Sequence, residues 1–412
     1  MTQTDVTRRE IFGFCLFDFA NSAYTTLIIT AVYSLYFVQF VGSSFLWSLT
    51  LSLSYALTLL VSPVAGAMAD YQGSKKRYLL FSTLLCVTAT AGLFFTGKGT
   101  LPLVLGLLLL SNTGYALSEN FVSSFLPGLS TRANIGRISG YAWSFGYVGG
   151  ILSLLLMLVY FRAAGSGEAQ VRACTLVAAG FFGLFALPAF LWLRERTSPE
   201  APVPGLSVVT AGFARLAQTF RDIRRYGELF KFLTAFFLFS CGTATVITFA
   251  GIFAQQELHF TTPDVIKLIL VANITSAAGA FFFGFVQDKI GAKRTLYITQ
   301  ALWLAAVLGA YFVHTPGRFW IVANVVGFAM GASQSASRSL VGLFSPPGKA
   351  AEFYGFWGVA GKGAAIAGLF SFGVMLKVFH NNMRIAILST AVFFVLGTFG
   401  LLTVDEKKGT LL

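Results

Sequence analysis

Twelve apolar stretches, each long enough to cross a bilayer as a helix of about 20 residues, divide the chain at short polar breaks. They lie near 11–41, 45–69, 78–96, 101–126, 139–161, 172–193, 228–256, 264–287, 294–313, 319–343, 352–377 and 383–404. The pattern predicts an all-α membrane protein of twelve transmembrane helices. The first stretch is too long for the apolar region of a signal peptide and carries Asp18 and Asn21 inside it, so no cleavage is expected.

One connection is long, about 194–227. Arg194 to Pro204 is charged and Pro-rich and is expected to be irregular. Beyond it Leu206, Val209, Phe213, Leu216, Phe220 and Ile223 recur every three or four residues, while Arg215, Arg221, Arg224 and Arg225 take other positions. That periodicity predicts an amphipathic helix on the cytoplasmic membrane surface, with a packed linker helix as the alternative. The expected domains are an N-terminal six-helix bundle (1–193), this linker (194–227) and a C-terminal six-helix bundle (228–412).

Composition excludes a soluble fold: 56% of residues are hydrophobic, 11% are charged and the mean hydropathy is +0.75. The net charge of +13 is not a nucleic-acid footprint, because the basic residues sit at segment ends. With the N-terminus cytoplasmic, that side receives 20 of the 29 Lys and Arg and the far side 7, while Arg338 and Lys362 fall within helices. Both termini are therefore expected in the cytoplasm. The four Cys are scattered through apolar segments and the three His sit singly at expected outer loops, so neither disulfide nor metal site is predicted. No Walker-type loop or nucleophile–base constellation occurs, so neither an enzyme nor a cofactor is expected.

A duplicated motif sets the architecture. Gly66, Asp70, Gly73 and Lys75, with Arg77 following, recur 218 residues later as Gly284, Asp288, Gly291 and Lys293, with Arg294 following. Only seven Asp occur in the chain, so two at matched places mark two related halves, as in transporters built from repeats. Gly66 and Gly284 suit close helix approach, and Gly73 and Gly291 a tight turn. Asp70 and Asp288 are placed to meet a helix N-terminus, expected near Ala351 and near Ser139. The alternative is that these loops only fix topology through their basic residues.

Polar residues within spans point to substrate, because a charge in hydrocarbon costs several kcal/mol unless solvated or paired. The first helix carries Asp18, Asn21, Ser22 and Thr25 on one face, with Tyr24 beside them, and the fourth carries Asn112, Tyr115, Glu119 and Ser123. The tenth has Gln334 and Arg338, and the eleventh Tyr354, Trp357 and Lys362. Asp18, Glu119 and Lys362 all fall roughly 10–17 Å from the cytoplasmic edge at about 1.5 Å per residue. A shared cavity with a switchable charge cluster is expected. Each of the three also has a structural reading as a cap, pair or counter-ion, and Arg338 one as a snorkelling interface residue.

The G-x-x-x-D-x-x-G-x-K-[KR] loops resemble the signature of the major facilitator superfamily. More specifically, Phe17-Asp18-Phe19-Ala20-Asn21-Ser22-Ala23-Tyr24 resembles the opening of the vacuole-effluxer-like branch, relatives of the yeast autophagy-related vacuolar amino-acid permease. Phe125-Leu126-Pro127, Ile135-Gly136-Arg137-Ile138-Ser139-Gly140 and Ala351-Glu352-Phe353-Tyr354-Gly355-Phe356 are similar to that branch as well. The resemblance spans nearly the whole chain. It implies two pseudo-symmetric six-helix bundles and secondary transport by alternating access around a midplane cavity, with amino-acid efflux as the precedent. It also implies that the motif loops hold the halves together on the cytoplasmic side.

Two departures weaken any inherited substrate. Ser240-Cys241-Gly242-Thr243 lacks an acidic residue common in the seventh helix, and Ser123 stands where an Asn is usual. The expected function is transport of a small polar or zwitterionic, amino-acid-like solute, coupled to H+ through Asp18 or Glu119, with Lys362 attracting an anionic group. The expected setting is a monomer in the lipids of a bacterial inner membrane. The alternatives are an exporter of an amphiphile, drug or lysolipid, suggested by 44 Phe, and a non-transporting sensor of the same fold.

Overall fold

The structure, a computed structural model, describes residues 6–165, 167–196, 207–222 and 224–410. All twelve expected spans are helical. We label them, with the linker helix, α1 (Arg8–Val41), α2 (Ser44–Gln72), α3 (Lys75–Phe95), α4 (Leu101–Leu129), α5 (Ile135–Ala164), α6 (Glu168–Trp192), α7 (Val208–Arg221), α8 (Gly227–Leu258), α9 (Thr262–Ile290), α10 (Ala292–Phe312), α11 (Pro316–Phe344), α12 (Ala350–Val378) and α13 (Met383–Leu402). Among the described residues eleven of these are long and apolar enough to cross a membrane. The remaining span, α11, is an unbroken 29-residue helix, made less apolar by Asn324, Gln334, Arg338 and its serines.

Local chemistry sets the helix ends. Thr7 and Glu10 cap α1 reciprocally, as Thr261 and Asp264 cap α9. Pro102, Pro263 and Pro316 lie in first turns, where no amide partner is lost. Gly73 ends α2 at φ 60°, and Gly291 joins α9 to α10 at φ 93°. These positive angles are why both copies of the loop carry glycine there. Beyond Ala23, α1 winds wider over Tyr24–Ala31, with Val32 N–H donating to Leu27 O at 3.2 Å. The β-branched run Thr25, Thr26, Ile28, Ile29 and Thr30 crowds a normal α turn there.

Burial is inverted relative to a soluble protein. Leu60, Phe312 and Phe370 are at least 70% exposed, whereas Ser54, Thr58, Ser62 and Thr245 are buried. Thr58 and Thr245 donate to the carbonyls four residues back, Ser54 O and Cys241 O, each at 2.8 Å. Each thereby satisfies its hydroxyl without an external partner.

The chain forms two compact units. One comprises Met1–Leu129, Phe145–Ala217 and Pro347–Gly358, and the other Ser130–Ser144, Gln218–Pro346 and Val359–Leu412. Within the first, α1 packs on α6, and α3 on α4 and α6; within the second, α8 packs on α13, and α10 on α11 and α13. The repeat legible in the loops is thus also a repeat of helix packing. Each unit includes the N-terminal end of a helix from the other sequence half, the start of α12 in the first and the start of α5 in the second.

Small residues let helices touch. A Cβ added at Gly149 in α5 would overlap the Phe19 carbonyl oxygen in α1, whereas one at Gly180 in α6 would meet nothing within 4 Å. Gly149→Ala is therefore expected to destabilise by about 1–3 kcal/mol, and Gly180→Ala to be neutral or stabilising by about 0.5–1 kcal/mol. Thermal unfolding of the two variants in one detergent compares them directly. Equal melting temperatures would mean that α1 and α5 do not pack this closely.

Candidate functional site

Both motif aspartates accept hydrogen bonds from helix N-termini. Asp70 is 1% exposed. Its carboxylate accepts the Glu352 N–H at 2.8 Å, feels the neighbouring Ala351 amide and lies 3.3 Å from Lys75 Nζ. These amides belong to the first turn of α12, where donors lack intrahelical partners and an anion is favoured. Gly66 makes the contact possible, since a Cβ there would overlap the Ala351 carbonyl.

In the second unit Asp288 accepts from Gly136 N–H at 2.9 Å and from Arg137 Nε at 2.7 Å, at the start of α5. The helix is the expected one, and the contact falls three residues before Ser139. A Cβ at Gly284 would lie 2.9 Å from Gly136 O. Nearby, Arg338 donates from Nη2 to Ser139 O at 2.9 Å and from Nε to Ser139 Oγ at 3.1 Å, and stacks over Trp143. Sequence reasoning placed Arg338 among the substrate residues or at the interface; it is 2% exposed and holds the backbone of α5.

The basic ends of the two motif copies diverge. Lys75 pairs with Asp70, whereas Lys293 Nζ reaches the Val404 carbonyl at 2.5 Å. In the first copy the contact like that of Lys293 is made one residue later, by Lys76, whose Nζ donates to Leu193 O at 2.8 Å. In each copy a glutamate missed by sequence reasoning caps the following helix. Glu195 accepts the Lys76 amide, and Glu406 accepts those of Ala292 and Lys293 at 2.9 and 3.1 Å. Burial pushes the Glu195 carboxyl up, opposed by the Lys76 amide and the charges of Lys75 and Lys76. Arg77 and Arg294 are exposed.

A polar and aromatic cluster occupies the interior of the first unit. Tyr24 is buried, stacks on Tyr115 at 5.2 Å and shares a hydrogen bond with Ser111 Oγ at 3.0 Å. Glu119, Asp18, Tyr55 and Cys86 all lie within electrostatic range of the Tyr115 hydroxyl. Asp18 and Asn21 are buried, and Glu119 and Tyr115 are half-buried. The cluster therefore brings together Asp18, Tyr24, Tyr115 and Glu119 from α1 and α4. It sits where α1 begins to widen.

Other candidates have framework contacts. Asn112 donates to Ser54 Oγ at 2.5 Å, and Asn120, which sequence reasoning overlooked, donates to Ser62 Oγ at 2.7 Å. Two Asn–Ser bridges eight residues apart fix the register of α4 on α2. Their signal was present in the matched spacings 112/120 and 54/62. Tyr354 is fully buried with its ring edge-on to Trp357, while Gln334 and Lys362 are half-buried.

Residues 31–411 match the family model described as vacuole effluxer Atg22 like. The uncharacterized MFS-type transporter YxiO of Bacillus subtilis (strain 168) is 27% identical over 409 residues, covering 96% of this chain and 94% of YxiO. Autophagy-related protein 22 of Yarrowia lipolytica is 25% identical over 331 residues, covering 74% of this chain and 56% of the fungal protein. The human organic anion transporter MFSD10 (TETRAN) shares the fold with a TM-score of 0.78 at 15% identity, over 96% of this chain and 99% of that one. The major facilitator superfamily transporter FucP, in its outward conformation, gives a TM-score of 0.76 at 13% identity, over 97% and 100%. The duplicated loops, the paired helix packing and these matches agree: the chain belongs to the vacuole effluxer Atg22-like family of major facilitator superfamily transporters.

Proposed function

We propose that the protein is a secondary active transporter that moves a small zwitterionic, amino-acid-like solute by proton-coupled alternating access. The observation that carries this reading is the pair of carboxylates, Asp18 and Glu119, within electrostatic range of one half-buried tyrosine, Tyr115, in membrane-spanning helices. Carboxylates are retained at such depth where they exchange protons or bind a cation. The stacked Tyr24–Tyr115 pair offers an aromatic face suited to an ammonium group. Asp70 and Asp288 are the latches that open and re-form during the cycle. The asymmetry of basic residues supports cytoplasmic termini, and the Bacillus relative supports a bacterial inner membrane. A monomer is the working unit.

Thermal-shift screening of the purified protein against amino acids, peptides, nucleosides, organic acids and lysolipids, followed by liposome flux with the best hit, tests the proposal. An amino acid that stabilises the protein and accumulates under a pH gradient is the expected result. Flux of a lysolipid or drug alone would favour an amphiphile exporter, and binding without flux a sensor.

Lys362, half-buried in α12, is the proposed contact for the anionic group of the solute. Lys362→Ala is expected to weaken its binding by about 2–5 kcal/mol, the cost of removing one partner from a desolvated charge contact. Calorimetry decides this, and an affinity within about a factor of two of wild type returns Lys362 to a structural role.

A further inference from the structure

We infer that the linker helix α7 is a contact for anionic lipid headgroups and relays the surface charge of the membrane to the Asp70 latch. The helix has three faces. Ala211, Gly212, Arg215, Leu216 and Thr219 are buried against the protein, and a Cβ at Gly212 would lie 2.6 Å from Met68 in the last turns of α2. α7 therefore runs beside the end of a membrane span. Val209, Phe213 and Phe220 are each at least 50% exposed. At about 100° per residue they fall within an arc of about 40°, next to the buried face. Thr210, Gln218 and Arg221 are exposed on the remaining arc. A protein face, an apolar exposed face and a polar face belong to a helix seated in a membrane interface.

Charge selects the lipid. Arg221, Arg224 and Arg225 are all exposed, and Asp222 is the only acid among the described residues of 207–225. A basic group at the end of an interfacial helix complements an anionic leaflet.

The protein face supplies the relay. Arg215, which the periodicity assigned to the polar side, is 8% exposed. It donates from Nη2 to Gly348 O at 2.7 Å and lies 3.5 Å from the fully buried Glu352 carboxylate. The amide of the same Glu352 is the one Asp70 holds. Seating α7 in an anionic surface keeps Arg215 against the first turn of α12 and so favours the closed latch.

Hydrogen–deuterium exchange of the full chain, in vesicles of phosphatidylcholine alone and of phosphatidylcholine mixed with phosphatidylglycerol, tests the relay without any variant. Exchange over 350–356 is expected to be about fivefold slower in the anionic vesicles, the effect of one basic residue at such a surface. Identical exchange in the two vesicle types would overturn the proposal. The triple variant R221Q/R224Q/R225Q should lose the difference. Arg215→Gln should keep lipid-dependent protection in α7 and lose it over 350–356. A lipid response at 350–356 that survives in R215Q would overturn the route through Glu352.

Discussion

Asp18→Asn is expected to abolish concentration of substrate by a proton gradient while preserving substrate binding and exchange. The side chain is 6% exposed in α1, just ahead of the segment where that helix widens. Asparagine keeps the shape of the protonated carboxyl but cannot release or take up a proton. The local hydrogen bond of Ser22 goes to the Asp18 main-chain carbonyl at 2.8 Å, so the substitution leaves it in place. One pH unit is worth about 1.4 kcal/mol per proton, or about tenfold accumulation of a solute moved with one proton. Wild-type liposomes should approach that ratio and Asp18→Asn liposomes should stay near unity. Counterflow with labelled substrate should persist in the variant, because exchange needs no net proton movement. Glu119→Gln, tested alongside, separates the two carboxylates. If Asp18→Asn still concentrates substrate under a proton gradient alone, Asp18 is not the coupling residue.

The helices were legible because apolar length is a direct consequence of bilayer thickness. Their ends were less so. The fifth and eleventh spans begin at Ile135 and Ala350, ahead of the apolar runs, because their first amides are bound by Asp288 and Asp70. Those partners lie 152 and 282 residues away in sequence. The matched Asp and Gly positions still pointed to the right helices, since an acid between glycines before a basic turn has few other uses in an apolar chain.

Arg215 and Arg338 were not legible. A two-sided periodicity assigns every arginine of a linker helix to solvent, and only the packed chain reveals a third face that buries Arg215 beside Glu352. Arg338 lies in a polar stretch of α11 that reads as a cavity lining. The Ser139 main chain and Trp143, nearly 200 residues upstream, take its guanidinium instead. The glutamates that cap α3 and α10 were hidden for the same reason. Glu195 and Glu406 sit at the ends of α6 and α13, where a carboxylate is unremarked until the helix it caps is brought alongside. Leu206 and Ile223, part of the periodic linker pattern, lie outside the described residues.

The two proposed latches look alike in sequence and should differ in strength. Asp70 and Lys75 are both buried, at 1% and 6% exposure, and Asp70 accepts from the first turn of α12. Asp70→Asn keeps an acceptor oxygen but removes the charge that strengthens those bonds, worth about 1.5–3 kcal/mol for a charged group, and leaves a buried lysine without its counter-ion. The Arg137 side chain opposite Asp288 is 43% exposed. Solvent screening holds that pair to about 1 kcal/mol or less.

Asp70→Asn should therefore raise the unlatched population by about 30-fold, corresponding to about 2 kcal/mol, and Asp288→Asn by no more than about fivefold. Expression should stay near normal in both. The readout is the rate of maleimide labelling at Ala351→Cys and Ile138→Cys, positions 2% and 3% exposed, with the native cysteines buried. Faster labelling at 351 in Asp70→Asn, and a smaller gain at 138 in Asp288→Asn, is the expected pattern. Unchanged labelling in both would remove the latches from the cycle. An effect of Asp288→Asn as large as that of Asp70→Asn would mean that the Asp288–Arg137 pair is shielded from solvent while the latch holds.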